Sequence, residues 1–379
     1  MALAVIAALA VAGCASSASP SSSASSAGGS AMSVTGNAAL ANPNLDTGTP
    51  LGNRPAPDIK LVNQFSQPIS LSQFRGHVVI LAFSDSECTT VCPLTTESMV
   101  LAKQMLGKAG DSVQLLGVDA NPDATKVSDV LAYSRVHGMV NEWDFLTGTY
   151  AQLKAVWRAY DIEVQIQAGQ IDHTPALYVI SAQGVLEKVY LTTMAYSSVT
   201  QSAQVVATEV AGLLPSHPKL TSLQSLATIP PQGPGTTVAL PTVSPADWKK
   251  TGAPTVTLGP GQARLVVFFA TWLTEVSDLK AEMTGLNTYV KAAAKSGLPA
   301  LTAVDETVTE PSPGAVTSFL GTLPALDYPV ALDKTGRLAD GYGVQDQPWL
   351  VLVNAAGKIT WSHDGWVSVA ALEKAAKSA

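Results

Sequence analysis

The sequence predicts an α/β fold made of two similar mixed-sheet bodies, and three observations carry that reading. Patterns of strand and helix length alternate twice along the chain, the second set repeats landmarks of the first, and a proline-rich stretch divides them. At 379 residues the chain is long for one core and comfortable for two domains. Charged residues make up only 13% and the net charge is -7, so no basic patch exists to neutralise phosphates, which excludes nucleic-acid binding.

In chain order, residues 1–14 end in the run "ALAVIAALAVAGC". It is too short to span a bilayer, which needs about 20 apolar residues, and it reads as the apolar core of an export signal. Small residues directly before Cys14 resemble the bacterial lipobox. That resemblance implies lipidation of Cys14 and a protein exported and anchored to the outer face of the bacterial cytoplasmic membrane. A signal normally opens on positive charge, and the first basic residue here is Arg54, which leaves room for a start upstream of Met1. Residues 15–52, rich in Ser, Ala, Gly and Asn, cannot bury enough apolar surface to offset their ordering entropy and read as a flexible tether.

The first body spans 53–214. "HVVILAF" (His77–Phe83) has the length of a buried strand, two cysteines follow it, and a helical pattern runs on through Met99 and Met105. "VQLLGVD" is a further strand, and "HTPALYVISAQGVL" (His173–Leu186) is a proline-opened strand, a turn at Gly184 and another strand. Prolines from Pro215 to Pro245 mark a linker over 215–245, because proline neither donates to a ladder nor continues a helix. The second body, 246–379, repeats the scheme with "ARLVVFFATW", a helical stretch, "LPALTAVD" and "DQPWLVLVNAAGKI". This element order resembles the thioredoxin fold, occurring twice in tandem across the Pro-rich linker. In that fold a cis-proline precedes the third core strand, which makes Pro175 and Pro348 the candidates.

Cys88 and Cys92 are two of three cysteines in the chain. Their spacing is one helical turn at a loop-to-helix junction, where exposed N–H groups and the dipole favour thiolate. The same spacing also admits a disulfide, so staple, redox pair and metal site are all open on spacing alone. A staple closing so small a loop removes little unfolded-state entropy. A thioredoxin-type dithiol has two intervening residues rather than three, a peroxidatic site would want an upstream proline, and structural zinc would want four ligands. Among five histidines, His77 reads as a surface residue, His137 as an exposed cation ending a helix, His217 as part of the linker and His363 as following a strand. His173 differs, since its loop packs against the cysteine turn in such a fold. Two thiolates and an imidazole suit copper as Cu(I) or Cu(II).

"CTTVCP", "VDANPD" and "DHTPALYVI", in that order over the first body, resemble the Sco/SenC family. The resemblance implies a membrane-anchored thioredoxin-fold protein that binds copper and helps assemble the binuclear copper site of cytochrome c oxidase. It also implies that Cys88, Cys92 and His173 are the copper ligands, with Asp172 and Tyr178 at flanking positions and Asp119 near the site. Departures lie at Ser84-Asp85-Ser86, where the family usually has Gly-Tyr-Thr, at Thr89 in place of a proline, and at Pro175. In the second body "FFATWLTEVSDLKAEM" resembles the active-site stretch of TlpA- or ResA-like thiol oxidoreductases, with Leu273 and Val276 at the cysteine positions. A body without thiols cannot exchange disulfides. Glu275, Asp278 and Glu282 read as a solvated helix face, and a groove beside Pro348, with Trp272 and Trp349, as a binding surface or scaffold.

The expected function is therefore an extracytoplasmic copper metallochaperone. Its expected partners are the copper-site subunit of cytochrome c oxidase or another cuproenzyme, other copper carriers or thiol oxidoreductases, and the membrane through the lipid. The competing enzyme reading is a thiol–disulfide reductase that keeps a cuproenzyme's cysteines reduced.

Overall fold

Continuous apolar runs become the central strands, buried on both faces as such runs require. The structure is a computed structural model that describes residues 45–167, 170–220, 234–238, 261–275 and 277–378. Cys14 and its expected lipidation, the segment 1–14, most of the tether and of the linker, and Val276 lie outside the described residues.

The strands are β1 (Thr49–Pro55), β2 (Lys60–Val62), β3 (Pro68–Ser70), β4 (Val78–Ser84), β5 (Val113–Asp119), β6 (Trp143–Leu146), β7 (Val164–Gln167), β8 (Gln170–His173), β9 (Ala176–Ile180) and β10 (Val185–Leu191). After the proline-rich stretch come β11 (Arg264–Phe269), β12 (Ala300–Asp305), β13 (Val330–Leu332), β14 (Trp349–Val353) and β15 (Ile359–Asp364). The first large sheet has the order β1-β10-β9-β4-β5-β6, and the second the order β13-β12-β11-β14-β15. Read from the β6 and β13 ends, the two sheets share order and direction. β4–β5–β6 and β11–β12–β13 are parallel, and the next two strands of each sheet run antiparallel.

Two expectations about boundaries are corrected. The first body begins near Leu45 rather than at 53, because β1 pairs with β10 and Asp46 accepts the Leu191 N–H at 2.6 Å. Residues 234–238 are no plain linker either. Thr237 bridges Lys358 and the Val238 N–H bonds Gly357 O, which lays this stretch on the free edge of β15.

In the first body, helix α1 (Val91–Met105), α2 (Val127–Val136) and α4 (Val199–Leu213) cover one face of the sheet, while α3 (Tyr150–Ala159) covers the other. Pro93 sits in the first turn of α1, where its missing N–H would have had no intrahelical partner. In the second body, α5 (Leu279–Ser296), α6 (Ala315–Gly321) and α8 (Val369–Ala376) cover one face. The other face is shared. Val266, Phe268, Val304 and Val351 meet α7 (Arg337–Tyr342) through Leu338 and Tyr342, and also meet Leu94, Tyr196 and Val199 of the first body. Burying each of these large side chains stabilises the fold by about 1.5–3 kcal/mol, so the two bodies are joined by a common apolar core. Among the described residues, no helix is long and apolar enough to cross a membrane.

Candidate metal centre

β4 ends at Ser84, and the chain turns sharply before α1. Asp85 shapes the turn: its Oδ1 accepts the Glu87 N–H at 2.8 Å and Asn121 Nδ2 at 2.7 Å, and its carbonyl accepts the Cys88 N–H. Cys88 is then half-buried at the mouth, and Cys92, the second residue of α1, is buried. Both thiols are free. The Cys92 N–H, one of the four donors a helix start leaves unpaired, points to Cys88 Sγ at 3.5 Å, and Thr90 Oγ1 lies 3.3 Å from the same sulfur.

These contacts split the pair electrostatically. The Cys92 S–H bond to Cys88, helped by Thr90 and the Cys92 N–H, holds Cys88 below the ordinary thiol range although burial and Asp85 oppose it. Burial first, and then the Cys88 thiolate, push Cys92 well above that range. Of the two sulfurs, Cys88 is therefore the more readily ionised and Cys92 the one that holds its proton more tightly.

His173 reaches this pair from across the sheet, 81 residues away, at the end of the β7–β8 hairpin. Its Nε2 is 3.6 Å from Cys92 Sγ. Its Nδ1 is 3.1 Å from Thr174 O, and since a carbonyl can only accept, Nδ1 carries the hydrogen and Nε2 presents a lone pair to the sulfur. Burial lowers the His173 pKa against the Thr174 bond and the charges of Asp85 and Asp172, which favours the neutral, metal-binding imidazole. The structure therefore brings together Cys88, Cys92 and His173. As they stand, no three His, Cys, Asp or Glu side chains among the described residues are closed into a metal cage. The donor set, two soft sulfurs and an imidazole with its lone pair free, nevertheless fits copper.

The other candidates divide. Asp119 is buried on the cysteine side of the sheet; burial holds its carboxyl well above the usual range, and the Asn121 N–H bonds Oδ1. Asp172 is exposed on β8 and acts on His173 only by its charge. Tyr178 does not join the site. Its hydroxyl bonds Tyr160 O, and it packs edge-on against Phe83 and Tyr160 in the opposite core, because alternation along β9 sends Leu177 and Val179 to the cysteine side and Tyr178 away from it. Pro175 is corrected as well: among the described residues the cis peptide bond is Gln347–Pro348, whereas the Ala176 N–H closes a tight turn onto Thr174 O across a trans Pro175. His137 is no exposed cation. It is buried against Tyr133 and Trp272, and burial pushes its pKa down to about 3.

Two residues escaped sequence reasoning. The charge of Asp85 acts on Cys88, Cys92, His173 and Asp119 at once, and its only sequence signal was the departure at Ser84-Asp85-Ser86. Tyr133 lies beside both sulfurs and bonds Thr96 Oγ1 at 2.9 Å.

In the second body, residues Thr271–Glu275 occupy the place of the cysteine turn, with Trp272 and Leu273 buried. Behind them lies a group of buried carboxylates. Glu310 holds the Thr271 N–H and hydroxyl, while both Glu306 oxygens are buried without a partner. Burial raises the pKa of Asp305, Glu306 and Glu310.

Sheet order, helix placement and a Cys-x3-Cys turn faced by a histidine define the first body as a thioredoxin-like domain with a soft-metal or redox site. Residues 49–208 match the family model of SCO1/SenC. A SCO1 protein homolog of Bacillus subtilis is 25% identical over 134 residues, covering 34% of this chain and 69% of the relative. The mitochondrial SCO2 homolog of Bos taurus is 26% identical over 157 residues, covering 39% of this chain and 58% of that relative, less than two thirds of its length. The copper-bound ScoI structure of Bradyrhizobium japonicum aligns at 16% identity with a TM-score of 0.37, over 42% of this chain and 99% of that one.

Proposed function

We propose that the protein carries copper as cargo on Cys88, Cys92 and His173, for delivery to an extracytoplasmic cuproenzyme such as the copper-site subunit of cytochrome c oxidase. The supporting observation is the 3.6 Å approach of the His173 Nε2 lone pair to Cys92, beside a Cys88 whose thiol is held below the ordinary range. Asn121 braces the turn through Asp85, and Asp119 through Ser86, rather than binding the ion. Cys14 supplies a lipid anchor on the outer face of the membrane, and the second body is a redox-inert thioredoxin-like fold. The match of residues 49–208 to the SCO1/SenC family model supports the same reading.

The polarised pair favours one rival. A thiolate at Cys88 could attack a client disulfide, forming one S–S bond as another breaks. Cys92, once deprotonated, would then displace the client, leaving a Cys88–Cys92 disulfide and a client reduced by two electrons. Copper titration of the reduced protein separates the two readings. About one copper per chain is expected in wild type, with tight uptake lost in His173→Ala. A reductase would instead keep disulfide-reducing activity in His173→Ala and lose it in Cys88→Ser, with no stoichiometric copper in either.

A further inference from the structure

The half-buried Cys88 lines a cleft of about 160 Å³ whose first wall is the first body: Glu87, Asp129, Tyr133 and His137. The second wall is the other body's cysteine-free turn, through Trp272 and Glu275. The indole of Trp272 lies against the His137 ring, centroids 5.2 Å apart and planes tilted by 48°, and is fixed from behind by a bond from its Nε1 to Thr309 Oγ1 at 3.2 Å.

Contacts on the opposite side of the turn hold this wall in place. The Thr89 hydroxyl, next to Cys88, bonds the carboxylate of Asp346, which directly precedes the cis Gln347–Pro348 unit. Asp340 accepts the backbone N–H of Tyr196 at 2.8 Å and of Ser197 at 3.1 Å, and also the Ser197 hydroxyl. Gly336, at φ 68°, touches the Tyr196 backbone where any side chain would collide. Trp272 and Glu275 of the turn after β11 therefore line the cleft that Cys88 shares, and the loop that carries Asp346 is tied to Thr89 beside it. The charged side chains lining the cleft, Glu87, Asp129 and Glu275, are all acidic.

We propose that the second body is a selectivity wall for Cys88: Trp272 and Glu275 restrict its sulfur to small, non-anionic reactants, and a folded client must displace this wall to be served. The inference rests on the reading of Cys88 as the reactive sulfur and needs no copper, so its test can fail while copper uptake stands, and the reverse.

The test is alkylation of reduced, full-length protein, with adducts on Cys88 counted by peptide mass spectrometry and every rate ratio normalised to a free small thiol. N-ethylmaleimide should react readily, while a maleimide fixed by a short spacer to a globular carrier should be slowed by about tenfold or more beyond the free-thiol ratio. Trp272→Ala should largely remove that size discrimination. Should circular dichroism show that variant unfolded, the double variant Asp340→Asn with Asp346→Asn, which loosens the wall from the other side, serves in its place. Glu275→Gln should raise the iodoacetate-to-iodoacetamide rate ratio by about two- to threefold at low salt. A wild-type size ratio equal to that of the free thiol overturns the proposal, as does one left unchanged in a folded wall variant. An unmoved charge ratio in Glu275→Gln removes Glu275 from the wall.

Discussion

The turn after β4 and the turn after β11 occupy the same position in two sheets of the same order, yet they have diverged into opposite surfaces. The first surrounds two sulfurs with donors: Thr90, the Cys92 N–H and a turn tied down by Asp85 and Asn121. The second replaces sulfur with buried Leu273 and aims Trp272 outward at the neighbour. A turn without thiols has no sulfur to keep accessible, and its apolar side chains are free to pack. The comparison teaches that the same strand-to-turn position can either present sulfur or pack, here against His137 of the adjoining body.

The comparison can be broken at several points, taken here from the largest effect down. Phe268→Ala removes a ring from the core common to both bodies and should cost about 3–5 kcal/mol, seen in denaturant unfolding as one cooperative transition moving to lower denaturant. Two resolved transitions, with only one displaced, would mean that the bodies do not share stability. Asp340→Ala strands the N–H groups of Tyr196 and Ser197 and should cost about 1–3 kcal/mol by the same measurement.

Glu306→Gln tests the idle carboxylates of the second body. Burial raises the folded-state pKa of Glu306 above the unfolded value, so its protonated form is the one that suits the fold. Its contribution is fully present below the ordinary carboxylate range and is lost as pH rises toward the raised folded pKa. Glu306→Gln should therefore stabilise the protein at neutral pH by about 1 kcal/mol, with little effect in acid; a variant less stable at neutral pH would show that Glu306 has a partner in solution. The smallest effect is a titration shift in the first body. Cys92→Ala removes the principal S–H donor to Cys88 and should move the Cys88 thiolate absorbance transition up toward the ordinary thiol value, whereas an unmoved transition would mean the pair is not polarised.

Much of the site could be read from the chain because its determinants are local. Their spacing put Cys88 and Cys92 at a loop-to-helix junction, although Cys88 lies on the turn ahead of α1 rather than on its face, and the proline-opened strand placed His173 opposite them. Position across a sheet was harder. β9 is apolar at every residue, so no polar alternation announced that Tyr178 faces the far core, and only pairing with β4 and β10 settles it. His137 was misjudged for a related reason: the end of a helix predicts solvent only if nothing packs there, and Trp272, 135 residues later, does. Asp85 was visible merely as a departure from the family pattern, because its influence on four titrating groups depends on a turn that brings distant backbone and side chains together.

Residues 234–238 hold a consequence for anyone dividing this protein. They hem the outer margin of β15 just as β1 hems β10, so each sheet borrows its selvedge from the chain that leads into it. Cutting at residue 245, where composition suggests a seam, would bare the Ile359 N–H and C=O and the Gly357 C=O at the start of this edge, an opening for a strand from a second molecule. A cut placed ahead of residue 234 keeps that border sewn.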